Sequence, residues 1–211
     1  WSSDVCSSDL SFDETSLKFL KQFNLPIHKV ASFENTDLRL IKLVAQTKKP
    51  MIISLGMANY KEIKEAVLTA RKNGCKKLIL LKCTSAYPAK YEDANLATIP
   101  FLRKSFKCEV GLSDHTLGIS TALAATAFGV SVIEKHFTLD RKSGGPDAKF
   151  SLEPHELKNL VDEVDNVWKS IGKINLQVTK GEKKNLKFRR SIYASENIKK
   201  GDKLSKNNIR I

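Results

Sequence analysis

Apolar residues along this chain fall into short bursts separated by longer stretches of helical spacing. "HKVAS" at 28–32, "MIISL" at 51–55, "KLILLKC" at 77–83, "EVGLS" at 109–113 and "SVIEKHF" at 131–137 each read as a short strand. Between them apolar positions recur every three or four residues. "NTDLRLIKLVAQTKK" sets Leu38, Ile41, Val44 and Ala45 at helical spacing, with Asn35 or Thr36 as its cap. "NYKEIKEAVLTARKNG" is an amphipathic helix closed by Gly74. A weaker helix is expected at 92–105, and a small-residue helix at "GISTALAATAFG". "EPHELKNLVDEVDNVWKSIG" forms a last helix after Ser151, with Pro154 in its first turn. "SLKFLKQFNLP" at 16–26 reads as a helix ahead of the first full strand.

Short apolar strands alternating with helices predict a parallel sheet. Polar residues cluster just after every strand: Ser32–Glu34, Ser54, Thr84–Tyr87, Ser113–His115 and Glu134–His136. Barrels of the TIM type place their chemistry at the C-terminal ends of all strands. An open doubly wound sheet uses fewer strand ends, around a switch point. The expected class is therefore α/β, an incomplete TIM (β/α)8 barrel with about the last five strand-helix units, over residues 11–172. Residues 173–188 are polar and lysine-rich and read as a linker. Residues 189–211 show short β-like runs, as the start of a small β-rich domain. The first ten residues, "WSSDVCSSDL", repeat Ser-Ser-Asp and match neither periodicity, so they are set aside as a non-native tail.

Composition narrows the class further. The chain has 211 residues, 41% hydrophobic and 28% charged, enough for one domain plus a piece of another. It contains no run of eighteen apolar residues and no charged-then-apolar leader, so a cytoplasmic location is expected. Its four cysteines show no paired spacing, which fits reduced thiols. The formal net charge of +13 comes from lysines scattered along helices, with no aromatic ladder between them. That pattern is a solvated surface, and neither a nucleic-acid nor a membrane partner is expected.

Two strand ends carry the sharpest chemistry. Strand parity puts Ser113 with His115 on one side, and Glu134 with His136 on one side. Parallel neighbours lie about 4.8 Å apart, so two imidazoles at adjacent tips can share a divalent metal with positions left open for substrate oxygens. Two unrelated histidines at a polar rim are the alternative. Lys29, Ser32, Ser54, Ser85 and Ser113 would suit a phosphate or carboxylate if they converge; otherwise they are turn serines and a surface lysine. Glu34 shares parity with Ser32 and is either a general acid or base or a surface acid. Tyr87-Pro88 either walls a pocket or shapes a loop. An inward Glu134 needs a partner.

"HKVASFE", "MIISLGMA", "LLKCTSAYPAKYEDANL", "GLSDHTLG" and "IEKHFTLDRKSGGPDAKFSLEP", in this order, resemble the sialic acid synthase family from Ser11 to Ile211. Phe33 and the "GGPDAKFSLEP" run are most similar to its pseudaminic acid synthase branch. The resemblance implies a TIM barrel joined to an antifreeze-like (SAF) domain. It implies condensation of phosphoenolpyruvate with the open-chain aldehyde of an N-acetylated amino sugar, giving a nonulosonic acid and phosphate. Neuraminate and legionaminate synthases are the nearest alternatives. A different metal-dependent barrel aldolase or isomerase, or a sugar-binding remnant, is the wider one. By motif, His115 and His136 would hold Mn, Co or Mg. Lys29, Ser32, Ser54, Ser85 and Ser113 would hold phosphoenolpyruvate. Glu34 would manage the proton or water, with Tyr87 and Asp147 on the sugar side. The resemblance also implies a domain-swapped homodimer, and an inactive fragment where the early strands and the end of the SAF domain are lacking. Departures from the pattern are Leu10-Ser11 for Thr-Pro, Leu55 for Thr, and Ser85 where the neuraminate branch has Asn.

Overall fold

Six strands join edge to edge in the order in which they occur in the chain. They are β1 (Leu10–Ser11), β2 (His28–Val30), β3 (Met51–Ser54), β4 (Leu78–Cys83), β5 (Glu109–Asp114) and β6 (Ile133–Lys135), and every adjacent pair is parallel. The computed structural model describes residues 10–211. An order that never reverses is the order of barrel staves; a doubly wound sheet would turn back at its switch point. The sheet is thus an open arc of six consecutive staves, each followed by a helix or turn. Five strands were expected. The sixth is β1, where Leu10 pairs with Lys29 and Ser11 with Val30. Leu10 therefore belongs to the sheet and not to the tail; residues 1–9 lie outside the described residues.

The helices form where their ends are capped. α1 (Glu14–Leu20) starts at Asp13, whose carboxylate accepts from the Ser16 amide at 2.7 Å. α2 (Leu38–Ala45) starts at Asp37, one or two residues later than expected, because its carboxylate takes the Leu40 amide at 2.9 Å. α3 (Tyr60–Lys72) carries a capping box between Asn59 and Glu62. α4 (Thr98–Phe106) is shorter than expected at its start, where Tyr91–Ala94 forms a separate 3-10 turn. α5 is Ser120–Ala127, and α6 is Pro154–Ile171 with Glu153 and Glu156 as its capping box.

Alternation along the strands assigns the two faces. Val30, Met51, Ile53, Leu78, Leu80, Val110 and Leu112 pack with Leu17, Leu40, Ile41, Val44, Val67 and Leu102 from the helices. That layer is the core, and each fully buried aliphatic side chain in it contributes about 1.5–3 kcal/mol. A second cluster, Ala122, Leu152, Leu160 and Val164, joins α5 to α6. The opposite face of the strands carries Lys29, Ser54, Cys83, Ser113 and Glu134. Residues up to Gly172 form one compact unit and Lys173–Ile211 a second. The second unit holds a 3-10 turn at Glu182–Phe188 and a two-stranded antiparallel ribbon of β7 (Tyr193–Ala194) and β8 (Ile209–Arg210).

Candidate active site

Ser113 and Glu134 are register partners on β5 and β6. The Ser113 hydroxyl donates to Glu134 Oε1 at 2.8 Å, and Lys29 Nζ of β2 lies 3.3 Å from the same oxygen. The inward carboxylate thus has the partners its position demands, and a lysine from β2 meets an acid from β6. Just beyond, the rings of His115 and His136 stand 5.1 Å apart between centroids. His115 Nδ1 lies 3.0 Å from the Thr84 carbonyl, and His136 Nδ1 lies 3.5 Å from Asp147 Oδ2. An oxygen acceptor behind each ring favours the proton on Nδ1 and leaves Nε2 with a free lone pair. Two imidazole nitrogens on adjacent strand ends are donors that a divalent metal accepts, so the two histidines fit the ion that the resemblance implies. Burial first, and then the charge of His115, hold the His136 pKa below the ordinary imidazole value.

Cys83 sits beside this pair, with Sγ 3.9 Å from His115 Nδ1 and 3.8 Å from Ser85 Oγ. Burial pushes its thiol up, but hydrogen bonding to His115 and Ser32 and the His115 charge outweigh this and bring it down to about 7. For His115, burial pulls the pKa down, and the Cys83 contact, the Thr84 carbonyl and the Glu134 charge together more than restore it, so the net shift is upward. The Thr84 carbonyl is the closer partner of Nδ1 by 0.9 Å (3.9 against 3.0 Å) and fixes the orientation of the ring.

Two predicted serines, Ser32 and Ser85, converge on Gly56, which follows β3. The Gly56 amide donates to Ser32 Oγ at 3.1 Å. A Cβ at Gly56 would lie 2.0 Å from Ser85 Oγ and 2.7 Å from Ser32 Oγ. Only glycine leaves these hydroxyls their space. Asn35 Nδ2 donates to the carbonyls of Ser54 and Gly56, at 3.3 and 3.0 Å, and so pins this turn. Ser54 Oγ and Glu34 Oε2 are buried with no hydrogen-bond partner among the described protein atoms. An orphaned buried polar atom costs about 1–3 kcal/mol, which a bound polar ligand would offset. Burial raises the Glu34 carboxyl above its usual value. Ser32 and Glu34 sit in a 3-10 turn, Ser32–Glu34, so the strand parity expected to relate them does not apply.

Tyr87 and the loop after β6 wall the site. Tyr87 lies 4.4 Å from the His115 ring and 6.1 Å from that of His136. The Leu152 amide donates to the His136 carbonyl at 2.8 Å, and the Thr138 amide to the Leu152 carbonyl at 2.9 Å. These bonds close the base of the Gly-Gly-Pro loop and return Asp147 to His136, with Phe150 5.0 Å from the His136 ring. Glu153, His155 and Glu156 also lie within ligand reach of one another. Their carboxylates are committed: Arg141 pairs with both, and Glu156 takes the Glu153 amide in the α6 cap.

All ten predicted site residues thus lie at the strand tips or in the turns and loops that follow them. Cys83, Gly56, Asn35 and Phe150 were missed. Cys83 shares strand parity with Ser85, so that signal was available. Gly56 could be read only as a turn glycine until the serines around it were placed.

Comparison with known proteins decides the kinship. Residues 4–175 match the NeuB family. The chain belongs to that family. It is 44% identical over 201 residues to the N,N'-diacetyllegionaminic acid synthase of Campylobacter jejuni, covering 94% of this chain and 60% of that protein. It is 42% identical to a pseudaminic acid synthase of Campylobacter jejuni, covering 94% of this chain and 58% of that protein. The crystal structure of an N-acetylneuraminic acid (sialic acid) synthetase from Leptospira borgpetersenii, in complex with citrate, superposes with a TM-score of 0.77 at 36% identity, over 85% of this chain and 63% of that one. The chain therefore spans about 60% of the length of these NeuB relatives. Identities of 44% and 42% do not separate the legionaminic from the pseudaminic branch. Among the described residues, no helix is long and apolar enough to cross a membrane.

Proposed function

We propose that the protein carrying this chain is a nonulosonate synthase that condenses phosphoenolpyruvate with the aldehyde of an N-acetylated amino sugar. The observation that carries the reading is the meeting of two unlike groups, a pair of imidazoles and the Ser32 and Ser85 hydroxyls around Gly56, with Cys83 in reach of both His115 and Ser85. Lys29 and the hydroxyls of Ser32, Ser54, Ser85 and Ser113 would hold the phosphate and carboxylate. His115 and His136 would hold a divalent metal (Mn, Co or Mg), which when bound supplies Lewis-acid polarisation of the aldehyde oxygen. The sugar would lie against Tyr87, with Asp147 facing its hydroxyls.

The enol carbon of phosphoenolpyruvate then attacks the aldehyde carbon, and the carbon bearing the phosphate becomes cationic. Water adds there, the tetrahedral intermediate expels inorganic phosphate, and the product is the 2-keto acid. Glu34 would handle the proton of that water, and the burial that raises its carboxyl above the usual value supports that role. The lysine and serines stabilise phosphate charge from binding through departure. Pseudaminic acid is the favoured product on the Phe33 and Gly-Gly-Pro-Asp run, with legionaminic and neuraminic acids as alternatives. We further read residues 189–211 as the opening of a SAF domain and the full-length protein as a domain-swapped homodimer.

The test is phosphate release from phosphoenolpyruvate by the protein as its gene encodes it. Each candidate amino sugar is added in turn. Release that requires one sugar and a divalent metal supports the reading and names the substrate. Sugar binding without phosphate release would instead support a binding role, and sugar conversion without phosphoenolpyruvate an aldolase or isomerase.

A further inference from the structure

Asp114 and Lys135 occupy the rung between the two functional rungs of β5 and β6. Ser113 pairs with Glu134 in register, and Asp114 pairs with Lys135. His115 and His136 come next. By alternation, Asp114 and Lys135 point to the helix side, opposite the site. Lys135 Nζ lies 2.8 Å from Asp114 Oδ2, and the two side chains are 3% and 1% exposed. Each charge is further satisfied by one residue, Thr116. Asp114 Oδ1 accepts from the Thr116 amide at 2.9 Å and from its hydroxyl at 2.8 Å, and Lys135 Nζ donates to the Thr116 carbonyl at 2.7 Å. The Thr116 hydroxyl also meets that of Thr121 in α5 at 3.0 Å. The network therefore brackets His115 on both sides and ties its backbone to the residue before His136.

Stability alone does not explain such a network. Replacing a buried ion pair by apolar residues of similar volume is often neutral or stabilising, so a pair of this kind is weak evidence for a stabilising role. Register is another matter. A slip of one residue would turn every side chain of β6 to the other face. β6 has three residues, and its main-chain pairing with β5 is extended only by Ser131 and Val132, which bond Val110 and Leu112 at 3.0 and 2.9 Å. Main-chain pairing over these five residues is short, and the side-chain network adds a register-specific contact at its C-terminal end.

We infer that the Asp114–Lys135–Thr116 network is a register lock that sets the spacing of the two imidazoles, making these three positioning residues for the divalent-metal site. The inference rests on the reading of His115 and His136 as metal ligands, but the lock itself has a readout without metal. The central variant is Asp114→Leu/Lys135→Met, which keeps volume and removes the lock without stranding a charge. In the folded double variant, Mn²⁺ affinity measured by electron paramagnetic resonance should fall about 10- to 100-fold, the loss usual when the partners behind metal ligands are removed. Without metal, the ¹⁵N-imidazole signals of His115 and His136 should be single in the parent and split or broadened in the double variant. Lys135→Arg, which keeps the charge pair, should retain both properties.

Should the double variant fail to fold, Thr116→Val decides. It leaves the ions paired and should still weaken Mn²⁺ and broaden the imidazole signals. A folded double or Thr116→Val variant with parental imidazole spectra and parental Mn²⁺ affinity overturns the lock. If the parent itself binds no Mn²⁺, or His115→Ala binds it equally well, the metal reading fails. The metal-free spectra then still decide whether the lock exists.

Discussion

The two faces of β5 and β6 are built from neighbouring residues to opposite ends. On the helix side, Asp114 and Lys135 are closed in and meet partners on every side: an ion pair, two donors from Thr116 and one carbonyl. On the other side, Glu134 has partners in Ser113 and Lys29, yet Ser54 Oγ of β3 and Glu34 Oε2 of the turn after β2 are buried with no hydrogen-bond partner among the described residues. Burying polar groups is costly unless they are hydrogen-bonded. The satisfied pair needs nothing more, whereas the unmet atoms carry a cost that a bound polar ligand would offset. Position along the strand therefore matters less than which face a residue takes.

The strongest break in this contrast is expected at the imidazoles. His115→Ala or His136→Ala should abolish tight divalent-metal binding and cut phosphate release by about 10³-fold, several kcal/mol of lost charge stabilisation. Circular dichroism should show the fold intact. Leu80→Ala, on the core face and fully buried, should do the reverse. It should lower stability by about 2–5 kcal/mol in denaturant titration while metal affinity stays near that of the parent.

Gly56→Ala comes next. Its methyl would fall into the space of Ser85 and Ser32, so KM for phosphoenolpyruvate should rise about 100-fold, comparable to losing a positioned donor in kinetic assays. Ser54→Ala removes a buried hydroxyl with no protein partner, so stability without ligand should rise, by up to about 1–3 kcal/mol, while KM for phosphoenolpyruvate rises about 10-fold. A site serine that was merely structural would show the opposite pattern. The smallest effect is expected far from both faces. Lys158→Ala breaks an exposed pair with Asp162 in α6 and should cost no more than about 0.5 kcal/mol in thermal unfolding.

What could be read from the sequence follows the same division. The core face was legible because burial repeats with the period of the element: Val30, Met51, Ile53, Leu80 and Val110 mark strands, and Leu40, Ile41 and Val44 mark α2. The candidate site residues stood out because polar groups at strand ends break that pattern. Caps were less so. Asp37 lies beside Asn35 and Thr36, all three competent caps, and only the turn at Ser32–Glu34 selects Asp37 and frees Asn35 to pin Gly56. Leu10 was misassigned because a two-residue strand has no period to detect. Glu34 was tied to Ser32 by strand alternation, but a 3-10 turn replaces the strand there. The Asp114–Lys135 lock was invisible for another reason. Each residue reads singly as an ordinary charge, and their pairing exists only in the register between two strands.

The most direct test of the central claim, that the imidazole pair and the hydroxyl cradle form one site, is the ³¹P spectrum of phosphoenolpyruvate with the protein and Mn²⁺. The account predicts broadening of the phosphorus signal that requires the protein. It should vanish in His115→Ala and weaken in Gly56→Ala. Broadening that is the same in both variants and the parent, or absent while phosphoenolpyruvate and Mn²⁺ each bind, would contradict it.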